Sequence, residues 1–291
     1  MQPWMEIVRL LRWDKPTGRL ILMIPALWAL VLAARSTHQA PPPDLIAVVV
    51  LGSLAASAAG CVINDLWDRD LDRQVARTRT RPLAARSLSI AVGLVVLAIA
   101  GGCALLAAAY LQPLSFGLCL AAIPLIVFYP ACKRFFPVPQ LVLSLAWSFA
   151  VLVPWAALTQ SLSRPAWELA AAVLAWTLGF DTIYALNDRE DDLRVGIRSS
   201  AIFLGDRTPL GIGICLAMAA GLLGVVGREL GLTWPYWLAW AIAVGIWGQQ
   251  YQQLRGGTVN AGVLFQENAI AGGGLLLGAV LESLWQAIFL S

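Results

Sequence analysis

Long apolar runs separated by short polar stretches set the organisation of this chain. Runs of the length that crosses a hydrocarbon layer, about 17–25 residues, fall at roughly 20–35, 44–63, 88–110, 114–130, 138–158, 166–186, 209–226, 232–253 and 269–289. Each reads as a helix, because a spanning helix satisfies its backbone hydrogen bonds within itself. The pattern predicts an all-α fold, a polytopic membrane bundle of nine transmembrane helices. No soluble domain or low-complexity linker interrupts it, so residues 1–291 read as one transmembrane domain. The first run follows a basic segment and ends in Leu32-Ala33-Ala34, which is also the make-up of a signal peptide.

Composition agrees with the pattern. The chain is 59% hydrophobic and 13% charged, with a mean hydropathy of +0.74, whereas a soluble domain is about 45–50% apolar and about 25% charged. Lys and Arg collect in cytoplasmic loops, and this gives an internal check on the helix count. With the N-terminus inside, one face holds Arg9, Arg12, Lys15 and Arg19, then Arg69, Arg73, Arg77, Arg79, Arg81 and Arg86, then Lys133 and Arg134, then Arg189, Arg194, Arg198 and Arg207, and last Arg255. Only Arg35, Arg164 and Arg228 fall on the other face. A helix added or lost in mid-chain would scramble this division. The net charge of +3 is small and its basic residues are dispersed, which argues against nucleic-acid binding.

The candidate chemistry lies at two helix ends. Asn64-Asp65-Leu66-Trp67-Asp68-Arg69-Asp70-Leu71-Asp72 and Asn187-Asp188-Arg189-Glu190-Asp191-Asp192 each close an apolar run, and both fall on the basic, cytoplasmic face. Carboxylates at a membrane boundary are costly. Their starts lie 123 residues apart, Asn64 to Asn187, so a weak internal duplication is expected to set two similar helix ends opposite each other. The loops after them, about 73–87 and 193–208, are the longest polar stretches and are candidates to cap a site.

If the first helix continues through its cluster, Asp65, Asp68 and Asp72 stand at i, i+3 and i+7 on one face beside Asn64. Such stacked like charges repel unless a cation neutralises them. In the second segment Asp181, Tyr184, Asp188, Asp191 or Asp192, and Val195 follow the same stripe, with Asp181 inside an apolar run. Asp70, Arg69 and Glu190 lie off the stripes and read as solvated helix-end charges. Two facing carboxylate sets suit a divalent metal and diphosphate, because hard Mg²⁺ takes oxygen ligands and bridges to phosphate. The nearby Arg73, Arg77, Arg81, Lys133, Arg134 and Arg198 suit a leaving group on which negative charge develops.

Other chemistries are narrowed by scarcity. His38 is the single histidine and sits in a Pro-rich loop, which argues against a His-ligated metal, a haem ligand or a Ser-His-Asp triad. A general base is then a carboxylate, a tyrosine or solvent. The five cysteines, Cys61, Cys103, Cys119, Cys132 and Cys215, show no metal-binding spacing and read as small core hydrophobes.

The stretch Asn64-Asp65-x-x-Asp68-x-x-x-Asp72 matches in full the NDxxDxxxD motif of the UbiA superfamily of intramembrane prenyltransferases, and Asp188-x-x-x-Asp192 resembles its second aspartate motif. Leu11-Arg12-Trp13-Asp14-Lys15-Pro16-Thr17-Gly18, Tyr129-Pro130-x-x-Lys133-Arg134, Pro139-Gln140, the segment Asp181 to Asp192 and Phe265-x-x-Asn268 resemble the 4-hydroxybenzoate polyprenyltransferase branch, so the likeness runs along most of the chain. Asn187, Arg86 and Arg198 depart from that branch's common residues; Arg198 keeps its charge, and Arg86 bears only on the turn geometry of its loop.

The resemblance implies two Mg²⁺ ions held by Asn64, Asp65, Asp68 and Asp72 on one side and by Asp188 with Asp191 or Asp192 on the other, clamping the diphosphate of a polyprenyl donor. It implies attack on the allylic cation by the carbon ortho to the hydroxyl of 4-hydroxybenzoate, giving 3-polyprenyl-4-hydroxybenzoate and diphosphate for ubiquinone or plastoquinone. Arg134 is the first candidate for the substrate carboxylate, with Lys133, Arg12 and Lys15 also in the substrate-binding set. Asp181 and Tyr184 are candidates to orient the phenol, and Asp191 completes the catalytic candidates. The expected partners are the two substrates and the lipid bilayer, with no nucleic acid and no protein implied, and the expected location is a bacterial inner membrane with the site facing the cytoplasm. Other acceptors (dihydroxynaphthoate, homogentisate, chlorophyllide or haem) remain compatible with the aspartates. A secondary transporter also carries duplicated helices and membrane carboxylates, but more often with broken helices at mid-membrane.

Overall fold

Six of the long helices open with proline in the first turn, where its missing N–H leaves no bond unmade. The computed structural model describes residues 3–15, 17–257 and 260–289, so Pro16 of the Leu11–Gly18 segment lies outside the described residues. A short helix α1 (Pro3–Leu10) precedes nine long ones among them: α2 (Thr17–Thr37), α3 (Pro43–Asp72), α4 (Ile90–Ala109), α5 (Pro113–Cys132), α6 (Pro139–Thr159), α7 (Arg164–Ala185), α10 (Thr208–Glu229), α11 (Trp234–Arg255) and α12 (Ala261–Phe289). Two short helices, α8 (Arg189–Val195) and α9 (Ser200–Leu204), link α7 to α10. No strand occurs among the described residues.

Eight helical stretches are long and apolar enough to cross a membrane. The ninth long helix, α11, has the same length, but its tryptophans and the glutamines 249, 250, 252 and 253 lower its hydropathy. Successive long helices are neighbours, and α12 closes the ring onto α2, which also packs on α6. Because α2 contributes Ile21, Trp28 and Leu32 to the main core, it is a structural member of the bundle, and the signal-peptide reading of that run falls away. Helix α7 is the central element, while α4 presents Leu94, Val95, Ile99 and Leu106 outward. The cysteines are free and none is fully buried; Cys103 is exposed on α4, so the expectation that they are core residues is corrected.

Polar groups inside this apolar bundle are paired with one another. Asn268 accepts from the indole N–H of Trp176 at 2.9 Å and of Trp247 at 3.1 Å, and donates to Gln250 at 3.0 Å. These bonds tie α7, α11 and α12 together where an unmet amide would be expensive.

The two acidic helix ends differ. Helix α3 runs unbroken to Asp72, with no Gly or Pro between Cys61 and Asp72 to stop it. Helix α7 stops at Ala185, tightens into a 3-10 turn over Leu186–Asp188, and restarts as α8. The continuous stripe expected from Asp181 to Val195 is therefore broken. Asp188 takes φ −108° and ψ 3°, outside helical geometry, and its carboxylate is drawn away to Arg77. Gly196, at φ +81°, caps α8 in the left-handed region.

Candidate functional site

One face of α3 carries Asp65, Asp68 and Asp72 inward, and these carboxylates are 1%, 4% and 7% exposed. Burial at that level requires counter-charges. They come from three separate loops. Arg12 reaches Asp65 at 2.5 Å, Arg81 reaches Asp72 at 2.8 Å and Asp65 at 3.3 Å, and Lys133 reaches Asp68 at 2.7 Å and Asn64 at 2.9 Å. Asp65 Oδ2 is buried with no hydrogen-bond partner.

Opposite this face lies the end of α7. A cavity of about 180 Å³ separates the two, lined by Asn64, Asp68 and Asp72 on one side and by Asp181, Tyr184, Asp188 and Asp192 on the other. Arg77, Arg81, Lys133 and Arg198 line it as well. Arg77 bridges the clusters, donating to Asp188 at 2.8 Å and to the Tyr184 hydroxyl at 3.0 Å. Burial works against its charge, but the bonds to Asp188 and the fields of Tyr184 and Asp188 outweigh this, so its pKa is raised. The Asp181 and Asp192 carboxylates line the cavity without a protein partner among the described residues.

The polar loops close over this space. The 73–87 loop supplies Val75, Arg77, Thr78 and Arg81, and the 193–208 stretch supplies Ile197, Arg198 and Ser199. Their anchors are main-chain bonds: Ala76 N–H donates to Asp191 at 2.8 Å, Arg198 N–H to the Lys133 carbonyl at 2.8 Å, and Ser200 N–H to Gln140 Oε1 at 2.8 Å. Arg86 takes φ +60° in the first loop, so the turn there is left-handed although no glycine occupies it.

Several expected residues stand apart from the cavity. Asp65 lies behind it, between Arg12 and Arg81. Asp191 is held by Ala76 N–H and by Arg194 at 2.6 Å, and Arg73 donates to the Ala84 carbonyl at 2.7 Å; both brace the loop. Arg134 donates to the carbonyls of Trp67 at 2.8 Å and Pro130 at 3.0 Å and approaches Asp68 at 3.4 Å. Lys15 is exposed and is not a lining residue. Tyr129, Gln140, Thr78, Ile197 and Ser199 line the cavity but were not among the expected site residues, although Tyr129 and Gln140 sit in segments that carry the resemblance.

The donor set fits a hard divalent ion in kind: oxygen ligands only, with Asp181 and Asp192 free and Asp68, Asp72 and Asp188 facing the same space. As the side chains stand, no group of three or more carboxylate, histidine or cysteine side chains is gathered around one point among the described residues. The protein's own Lys and Arg hold that role, and a metal would share or displace them.

Known proteins carry the same architecture. The model of the UbiA prenyltransferase family matches residues 22–264. A 4-hydroxybenzoate solanesyltransferase of Synechocystis sp. is 53% identical over 281 residues, covering 96% of this chain and 95% of its own, and a 4-hydroxybenzoate octaprenyltransferase of Ralstonia nicotianae is 39% identical, covering 94% and 93%. Among solved structures, the apo UbiA homolog from Aeropyrum pernix K1 aligns with a TM-score of 0.80 at 22% identity over 91% of this chain and 97% of its own. A UbiA homolog from Archaeoglobus fulgidus bound to GPP and Mg²⁺ aligns with a TM-score of 0.75 at 17% identity over 95% and 98%.

Proposed function

The chain belongs to the UbiA prenyltransferase family, and on that premise we propose that it transfers a polyprenyl group from polyprenyl diphosphate to the carbon ortho to the hydroxyl of 4-hydroxybenzoate, in quinone biosynthesis. The observation that carries the reading is the cavity in which two carboxylate faces meet with Arg77, Arg81, Lys133 and Arg198 between them. The 53% identity to a 4-hydroxybenzoate solanesyltransferase supports the acceptor.

Asn64, Asp68 and Asp72 from α3, with Asp188 and Asp192 from the second cluster, would hold Mg²⁺; Asp65 supports them from behind. Bound there, the metal supplies charge neutralisation of the donor diphosphate. Arg77, Arg81, Lys133 and Arg198 bind diphosphate oxygens and stabilise the charge that grows on them as the C–O bond breaks. The ring carbon then forms the new C–C bond to the allylic cation, and loss of its proton restores aromaticity. Asp181, free of protein partners, accepts a hydrogen bond from the phenol, and Tyr184, fixed by Arg77, borders it. The loops 73–87 and 193–208 exclude water that would otherwise capture the cation. The bias of Lys and Arg supports a cytoplasmic site in a bacterial inner membrane.

The test is prenyl transfer by purified protein from a mixture of prenyl diphosphates to radiolabelled 4-hydroxybenzoate, with Mg²⁺ and with EDTA. A lipid-soluble labelled product that vanishes with EDTA is expected, and its mass gives the chain length. Absence of product with this acceptor, alongside Mg²⁺-dependent turnover of another aromatic, would reject the acceptor and keep the family.

A further inference from the structure

Arg19 has no role in the site described so far, yet its surroundings are those of a binding group. It lies in the first turns of α2, is 5% exposed, and both terminal nitrogens, Nη1 and Nη2, are buried without any hydrogen-bond partner. No other basic side chain has both terminal nitrogens buried and unpartnered among the described residues. A buried guanidinium with two unmet donors costs several kcal/mol by order of magnitude, so an anion is missing from its environment.

The geometry around Arg19 states what kind of anion. Its Nε edge is turned to the Arg12 carbonyl at 3.4 Å, and its guanidinium carbon lies 5.5 Å from the centre of the Trp13 ring. With one edge and one face taken, the Nη1–Nη2 edge is left. That edge is the fork which receives two oxygens of a carboxylate side by side. The same Arg12 gives its own guanidinium to Asp65, whose Oδ2 is the unpartnered buried acceptor beside the α3 carboxylates. Arg19 is thereby joined to the site through one residue.

The other basic candidates are engaged. Arg134 is satisfied by Trp67, Pro130 and Asp68, Lys133 by Asn64 and Asp68, and Arg12 by Asp65 and the Arg9 carbonyl. The bases that line the cavity are those assigned to diphosphate. We propose that Arg19 captures the carboxylate of the aromatic acceptor through Nη1 and Nη2, and so selects a benzoate-type acid over neutral phenols. This rests on the proposed prenyl transfer to 4-hydroxybenzoate and names the residue that recognises that acceptor.

The experiment compares 4-hydroxybenzoate with 4-hydroxybenzamide as acceptors for the wild-type protein, Arg19→Gln and Arg19→Lys, with KM measured separately for acceptor and donor. Wild type should favour the acid about 10- to 100-fold, the worth of a charge-assisted pair. Arg19→Gln should raise the acid's KM by that factor, leave the amide's turnover and the donor's KM unchanged, and so erase the preference. Arg19→Lys, which keeps the charge but not the fork, should recover part of it. Equal use of acid and amide by the wild type would overturn the assignment without any variant. So would an Arg19→Gln protein that loses both acceptors alike, or one whose donor KM rises instead, which would give Arg19 to the diphosphate. Failure of the wild type to prenylate 4-hydroxybenzoate at all is a different result and would remove the proposed acceptor itself.

Discussion

The end of α3 and the end of α7 carry similar acidic sequences and are built in opposite ways. On α3, one unbroken helix holds Asp65, Asp68 and Asp72 in a fixed stripe, each buried and each paired to a base. After α7 the backbone breaks at Leu186–Asp188, the carboxylates are half-buried, and Asp192 and Asp181 have no protein partner. The first cluster is part of the framework, with its charge already balanced. The second leaves carboxylate capacity free on an adjustable segment. A site that must admit and release a highly charged leaving group gains from having one wall fixed and one that can move.

Neutralising one acid on each wall separates framework from function most strongly. Asp68→Asn and Asp192→Asn should each lower turnover at least about 100-fold if both faces act on the diphosphate. Their stabilities should diverge. Asp68→Asn leaves buried Lys133 without its main counter-charge and is expected to cost about 3 kcal/mol, whereas Asp192→Asn, with no partner to orphan, should stay within about 0.5 kcal/mol of wild type. Thermal unfolding in detergent beside a turnover assay reads both quantities. Equal destabilisation would sink the distinction between the two walls.

Lengthening the side chains probes the same contrast with a smaller effect. A carboxylate displaced by one methylene on the fixed α3 helix cannot be corrected by its backbone, and misplacement near 1 Å can cost about 100-fold. Asp68→Glu should therefore lose about 100-fold in kcat/KM, and Asp192→Glu, on a segment able to adjust, about tenfold. A reversed order would make α8 the rigid wall. Smaller again is the bridge between them: Arg77→Ala removes the bonds to Asp188 and Tyr184 and is expected to raise the donor KM about tenfold, with the acceptor KM less affected.

The same contrast explains what could be read from the chain without coordinates. Apolar run length marks the long helices, because the bilayer imposes it, and the helical spacing of Asp65, Asp68 and Asp72 holds since nothing between Cys61 and Asp72 stops α3. Past Ala185 the period fails, because the ion pair of Asp188 with Arg77 depends on a loop 111 residues away in sequence. Such a partner leaves no periodic trace. Loop bases were legible only as a group: charge alone did not separate Arg81, which lines the cavity, from Arg73, which braces a carbonyl. Arg19 looked like one more residue of the cytoplasmic charge bias, and only its burial with empty donors distinguishes it.

The smallest effect concerns the joint that lets the second wall be adjustable. Gly196 ends α8 at φ +81°, with its N–H on the Asp192 carbonyl, and a Cβ built there would meet nothing within 4 Å. Gly196→Ala therefore tests backbone strain alone, about 1 kcal/mol for an L-residue in the left-handed region. The strain would be relieved by unwinding the last turn of α8, the turn that positions Asp192. The expected outcome is a melting point lower by a few degrees and a modest rise in the donor KM, with the acceptor KM unchanged. Should stability fall with no change in donor KM, α8 would hold Asp192 independently of its cap, and the second wall would be firmer than its broken backbone suggests.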